Sequence, residues 1–112
     1  MFEVEKLESI DVIVPNQAGA IALFAKNLND YTNNVIIDLR KNIILLEDDF
    51  DALESIANNR FELQKSLALC NVIGEKKSII EKRFDDDIIV VPTMNEAVDF
   101  VYMEEHEREL GL

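Results

Sequence analysis

The sequence predicts an α/β fold, a mixed β-sheet with helices packed against it, and three observations predict it. Two short runs rich in Val, Ile and Phe open the chain with a polar turn between them. Segments with helical spacing then alternate with apolar runs, the order that places parallel strands in one sheet. At the end a β-branched run is stopped by a proline and followed by a helix-capping pattern. With 112 residues, 48% of them hydrophobic and evenly spread, the chain is expected to form a single domain over residues 1–112 with one core.

Phe2 to Glu5 and Ile10 to Val14 read as paired strands around the turn at Glu8, the second closed by Pro15 and Asn16. Ile21, Phe24, Ala25 and Leu28 recur at helical intervals, which predicts a first helix over Gln17 to Leu28. Asn34 to Leu39 is almost continuously apolar, as in a central strand covered on both faces. Ile43 to Leu46 is either an extension of it or a separate short strand. Phe50, Leu53, Ile56 and Ala57 return to helical spacing behind Glu47, Asp48 and Asp49, acids that suit a helix start near Asp48. Leu67 to Cys70 reads as a strand, Val72 to Phe84 as a helix and Ile88 to Val91 as a strand ended by Pro92. Thr93 with Glu96 forms a capping-box pattern, and the last helix runs to Leu110 before Gly111.

Charge and composition narrow the function classes. The 23 acidic and 11 basic side chains give a formal charge of -12, which repels phosphate backbones and anionic headgroups, so neither nucleic acid nor a membrane surface is an expected partner. The opening residues lack the pattern of a secretory signal, and no apolar run is long enough to span a bilayer. Cys70, the only cysteine, forms no internal disulfide and supplies no multi-cysteine metal site. A cytoplasmic location is expected.

The closing stretch IIVVPTMNEAVDFVYMEEHEREL, Ile88 to Leu110, resembles the end of STAS domains of the anti-sigma-factor-antagonist kind. The resemblance continues upstream to NVIIDL at Asn34 to Leu39, which looks like that family's central strand, and so covers roughly residues 34–110. Before Gln17 the match is one of strand type alone, and the first helix arrives early, as if an intervening segment were shortened. In antagonists of this family the central strand leads to an Asp-Ser-Ser-Gly loop at a helix start, whose first serine is phosphorylated by a partner anti-sigma factor that is also a kinase. Here Leu46, Glu47, Asp48 and Asp49 stand at the matching positions. The resemblance therefore implies a STAS-like domain without the phosphorylatable serine.

Two readings of this acidic replacement stand side by side. A helix N-terminus stabilises an anion, so Glu47 and Asp48 supply permanently a charge that phosphate would supply on demand; a carboxylate carries about one charge against 1.5 to 2 for phosphoserine, so the mimicry is partial. Alternatively the acids are ordinary helix caps. The string LLEDD at Leu45 to Asp49 is also similar to the magnesium-holding acids of response-regulator receivers, but those follow a first strand and these follow at least three. Asp85, Asp86 and Asp87 suit a solvated turn more than a cation site.

Catalytic chemistry finds little support. His106 lies among Glu104, Glu105, Glu107 and Glu109 on a helix expected to be largely exposed, with no nucleophile or orienting partner indicated. Cys70 is expected in the core with a raised pKa, and Gly19, Gly74 and Gly111 form no phosphate-binding loop. On the last helix Met94, Ala97, Val98 and Val101 share a stripe for the sheet, while Phe100 and Met103 project away from it, toward a neighbouring helix or another chain.

The expectation is a non-catalytic interaction module. It regulates by binding a partner protein (an anti-sigma factor, a kinase or another STAS-like chain) through Leu46, Glu47, Asp48, Asp49 and Phe50, with Phe100 and Met103 as a second contact. No cofactor, metal or catalytic residue is expected. The alternative is a domain that binds a small molecule or a divalent metal through the acidic loop.

Overall fold

The computed structural model describes residues 1–85 and 87–111. In chain order the elements are β1 (Phe2–Leu7), β2 (Ile10–Pro15), α1 (Ala20–Lys26), a 3-10 turn (Leu28–Asp30), β3 (Asn34–Asp38), α2 (Glu47–Glu62), β4 (Leu67–Cys70), α3 (Glu75–Phe84), β5 (Ile89–Val91) and α4 (Met94–Glu109). The strands form one five-stranded sheet in the order β1-β2-β3-β4-β5, antiparallel at the β1–β2 hairpin and parallel from β2 to β5. It is the mixed α/β architecture expected. No helix among the described residues is long and apolar enough to cross a membrane.

Strand alternation divides the core into two layers. Ile13, Val35, Ile37 and Leu69 face α1, α2 and α3, meeting Phe24, Leu53, Ile56 and Ile80. Val12, Ile36, Ala68 and Cys70 face the other way and meet Ala97 and Val101 of α4. Because α1, α2 and α3 all connect parallel neighbours, right-handed crossovers put them on one face and leave the other to the terminal helix. Each fully buried Ile, Leu or Phe contributes about 1.5 to 3 kcal/mol, so the larger layer holds most of the hydrophobic stabilisation.

The structure differs from the sequence reading at three boundaries. The first helix begins at Ala20, three residues late, because Gly19 takes φ 84. Ile43 to Leu46 is neither a strand nor an extension of one. The Leu39 N–H donates to the Cys70 carbonyl, the chain turns at Arg40 and Lys41, and Asn42 at φ 48 sends it over the helical layer. Helix α3 starts at Glu75 rather than Val72, since Asn71 at φ 58 and Gly74 at φ 65 break the helical path between them. Thr93 does cap α4, its Oγ1 accepting from the Glu96 N–H at 3.3 Å, and Gly111 at φ 73 follows its end.

The charged end of α4 is fastened down rather than merely solvated. Glu105 accepts from Asn34 Nδ2 at 2.9 Å and from Ser9 Oγ at 3.0 Å, while Glu104 accepts from Ser66 Oγ at 2.5 Å. Asn34 is fully buried, and its Oδ1 also accepts from the Ser66 N–H at 2.7 Å. One amide therefore joins the hairpin turn, the start of β4 and α4.

Candidate functional site

The loop from Leu39 to α2 carries the family-like position. It leaves the central strand at its carboxyl end, where Asp38 is buried and accepts from the Arg40 N–H at 2.9 Å, Arg40 Nε at 2.8 Å and Asn71 Nδ2 at 2.8 Å. Arg40 in turn reaches Glu5 at 3.3 Å, and the carboxylates beside it raise its pKa further, Asp38 most. Along the loop Ile43 is buried and Leu45 packs on the helical layer, while Ile44 is 71% exposed and Leu46 46%.

At the helix start the three acids separate into different environments. Leu46, as N-cap, has no side-chain acceptor for the first-turn N–H groups, and the Asp49 carboxylate three residues later accepts instead from the Leu46 N–H itself. Asp49 Oδ2 accepts from the Leu46 N–H and the Gly19 N–H, each at 2.9 Å, and Oδ1 accepts from the Ala22 N–H at 3.1 Å. Its side chain is fully buried, so it ties α1 to α2 and presents nothing to a partner. Phe50 likewise points into the core.

Glu47 and Asp48 face solvent. Glu47 pairs with Arg83 of α3 at 2.6 Å, and the same guanidinium lies 5.1 Å over the Phe50 ring and 3.2 Å from Asp51. The hydrogen bond to Glu47 is the main reason the Arg83 pKa is raised. The five-residue expectation thus divides: Leu46, Glu47 and Asp48 form an outward surface, and Asp49 and Phe50 hold it in place. Ile44 and Arg83 complete that surface and went unnoticed in the sequence; a basic residue at the end of a helix is too common a pattern to pick out a carboxylate 36 positions earlier.

Chelation by the acidic loop has no geometric support. Asp49 is committed to three N–H donors and Glu47 to Arg83. Among the described residues no group of three or more His, Cys, Asp or Glu is arranged to hold a metal ion. Asp86, in the aspartate run, lies outside the described residues. His106 is exposed, and burial pushes the Cys70 thiol up to about 12.

The second expected contact also divides. Phe100 is half-buried and packs on the α4 face of the sheet, so it does not project away from it, and no neighbouring helix receives it: among the described residues that layer draws its helical side chains from α4 alone. Its outer edge lines an open cavity of about 810 Å³ at the amino ends of β4 and β5, beside Phe61. Met103 is exposed.

The five-stranded mixed sheet with three crossover helices on one face and a terminal helix on the other is a STAS-like α/β fold. A proposed anti-sigma factor antagonist from Thermotoga maritima superposes with a TM-score of 0.78 over 90% of this chain and 94% of that one, at 16% identity. Murine Solute Carrier 26 family member A9, an anion transporter solved in its inward-facing state, matches with a TM-score of 0.66 and 15% identity over 88% of this chain, which spans 18% of the transporter. At these identities the likeness is one of fold. No protein-family model and no curated protein matches the sequence.

Proposed function

We propose that the domain is a cytoplasmic, non-catalytic interaction module of the anti-sigma-factor-antagonist type. It regulates by binding a partner protein, either an anti-sigma factor with kinase activity or another STAS-like chain. The observation that carries this reading is the surface at the start of α2, where exposed Ile44 and Leu46 adjoin Glu47 and Asp48. Apolar side chains beside fixed charges supply both the burial and the register that a protein contact uses.

In this reading Glu47 occupies the place of a switch serine, and the loop is held in one state. Its charge, about half that of a phosphate, meets the Arg83 guanidinium, the kind of partner that orders a phosphorylated segment. Contact with the partner is made by Ile44, Leu46, Glu47 and Asp48, on a rigid base provided by Asp49 and Phe50.

The test is affinity capture with this chain and with the double variant Glu47→Ser, Asp48→Ser as baits. Capture of a kinase-like anti-sigma factor or a second STAS chain, changed by at least tenfold in the variant, supports the reading. A partner retained equally by both baits would remove the loop from the contact.

A further inference from the structure

The two halves of α4 are held to the sheet by different means. Its buried side chains, Ala97 and Val101, both lie in the first half, where Met94, Val98 and Phe100 pack beside them. From Tyr102 to Glu109 no side chain is buried, and among the described residues no apolar one joins the core. Polar contacts hold this half. Tyr102 donates to the Glu8 carbonyl at 3.0 Å, Glu105 accepts from Ser9 and Asn34, Glu104 accepts from Ser66, and Arg108 donates to Ser66 Oγ at 2.7 Å. Water can replace each of these partners when the contact opens, so their net contribution is far smaller than that of enclosed apolar side chains.

The residues of the same half work against its helix. Glu104, Glu105, Glu107 and Glu109 set four carboxylates against one guanidinium, Arg108, in the last two turns. The C-terminal end of a helix is the negative pole of its dipole, and Glu105 and Glu109, one turn apart, repel each other. The opposite end of α4 has the favourable arrangement, with the Thr93 cap and Glu96 in the first turn. Beside the weak half lies the open cavity of about 810 Å³, with Glu104, Glu107 and Arg108 in its wall.

We infer that Tyr102 to Glu109 form a strap, which unwinds and lifts from the sheet while the rest of the domain stays folded. Val101 marks the pivot, the last position at which apolar packing holds the helix. Lifting removes Glu104 and Arg108 from the cavity wall. Ser66, also in that wall, and Asn34, which is bonded to the Ser66 N–H, then meet the widened space, and water takes their donors. The sheet-side donors close the strap and the helix's own charges open it. The inference is independent of the reading of the α2 loop.

The experiment follows amide hydrogen exchange of the isotopically labelled protein by NMR, at urea concentrations below the unfolding transition. The amides of His106 to Glu109 are expected to exchange about a hundredfold faster than that of Ile36, at a rate almost independent of urea, because the opening exposes little surface. Ile56→Val, in the other core layer, is expected to accelerate Ile36 and leave these four amides unchanged, since its contacts persist when the strap is open. Ser9→Ala with Ser66→Ala leaves the helix sequence intact and removes two of its holds, so the four amides are expected to accelerate several-fold. Glu109→Lys, at an exposed position four residues after Glu105, is expected to slow them. Exchange at His106 to Glu109 no faster than at Ile36 and with the same urea dependence would overturn the inference. So would equal acceleration of both by Ile56→Val, or serine variants without effect on the four amides.

Discussion

The Asp49 carboxylate accepts a hydrogen bond from the Gly19 N–H at 2.9 Å, and this contact joins the starts of two helices that lie 30 positions apart. Its other oxygen takes the Ala22 N–H, and the Leu46 N–H donates to the same oxygen as Gly19, so one buried side chain satisfies donors at both helix starts. Removing the acceptor leaves these N–H groups enclosed without partners. Asp49→Ala is expected to cost roughly 3 kcal/mol, and Asp49→Asn less, because the amide keeps one acceptor oxygen. Urea unfolding of the two variants checks the order; an alanine variant as stable as the parent would show that the contact is dispensable.

Arg60 presents the same logic with the charge reversed. It is buried on α2, and its guanidinium donates to the Tyr31 carbonyl at 2.7 Å, the Asn33 carbonyl at 2.5 Å and Asn59 Oδ1 at 2.6 Å. Among the described residues no carboxylate pairs with it, and burial lowers its pKa. The planar fork fixes the segment leading into β3 in a way that an ammonium does not reproduce. Arg60→Lys is expected to destabilise by about 2 kcal/mol and Arg60→Met by about 3, a loss on the order of 10 °C in Tm. Thermal unfolding followed by circular dichroism measures both.

These two residues show where sequence reasoning stopped. The apolar pattern exposed the strands and helices because alternation and helical spacing are local, and NVIIDL at Asn34 to Leu39 could be placed at the centre of the sheet from its unbroken burial. Asp49 was expected at the partner-binding surface and Arg60 was not singled out, since acids at a helix start and a basic residue near its end are ordinary on solvated helices. What buries them is contact with segments about 30 positions away, which no local pattern encodes. Ile43 to Leu46 failed for a related reason: four apolar residues alternate inward and outward in a loop laid over a core as readily as in a strand. At the candidate site the replacement of serine by Glu47 was legible, and the pairing of Glu47 with Arg83 was not.

Cys70 is expected to be unreactive in the folded state. Burial is the main cause that pushes its thiol from 9.0 to about 12, with the Asp38 charge acting in the same direction. Thiol reagents are therefore expected to label the native protein very slowly at pH 8 and one equivalent rapidly in denaturant. A folded pKa above the unfolded one means that the folded state retains its proton while the unfolded state loses it. The stabilisation is thus complete below about pH 9 and is lost as pH rises from there toward 12, at up to about 1.4 kcal/mol per unit. Cys70→Ala is expected to flatten that part of the pH–stability curve; an unchanged slope would assign the alkaline loss to other groups.

Arg83 separates the structural and functional parts of the site. Its pairs with Glu47 and Asp51 are at the surface, where solvent and salt screen them, so Arg83→Gln is expected to leave the unfolding transition almost unchanged. It frees the Glu47 carboxylate and removes the cation over Phe50. If Arg83 holds Glu47 in the orientation that the partner meets, the substitution is expected to weaken partner capture by several-fold without altering the fold, and Arg83→Lys, which keeps the charge but not the fork, to fall between. Capture unaffected by Arg83→Gln but lost in Glu47→Ser would mean that the partner reads the carboxylate directly, with the guanidinium as a bystander. Loss in both, with partial recovery in Arg83→Lys, would make the ion pair itself the recognised element.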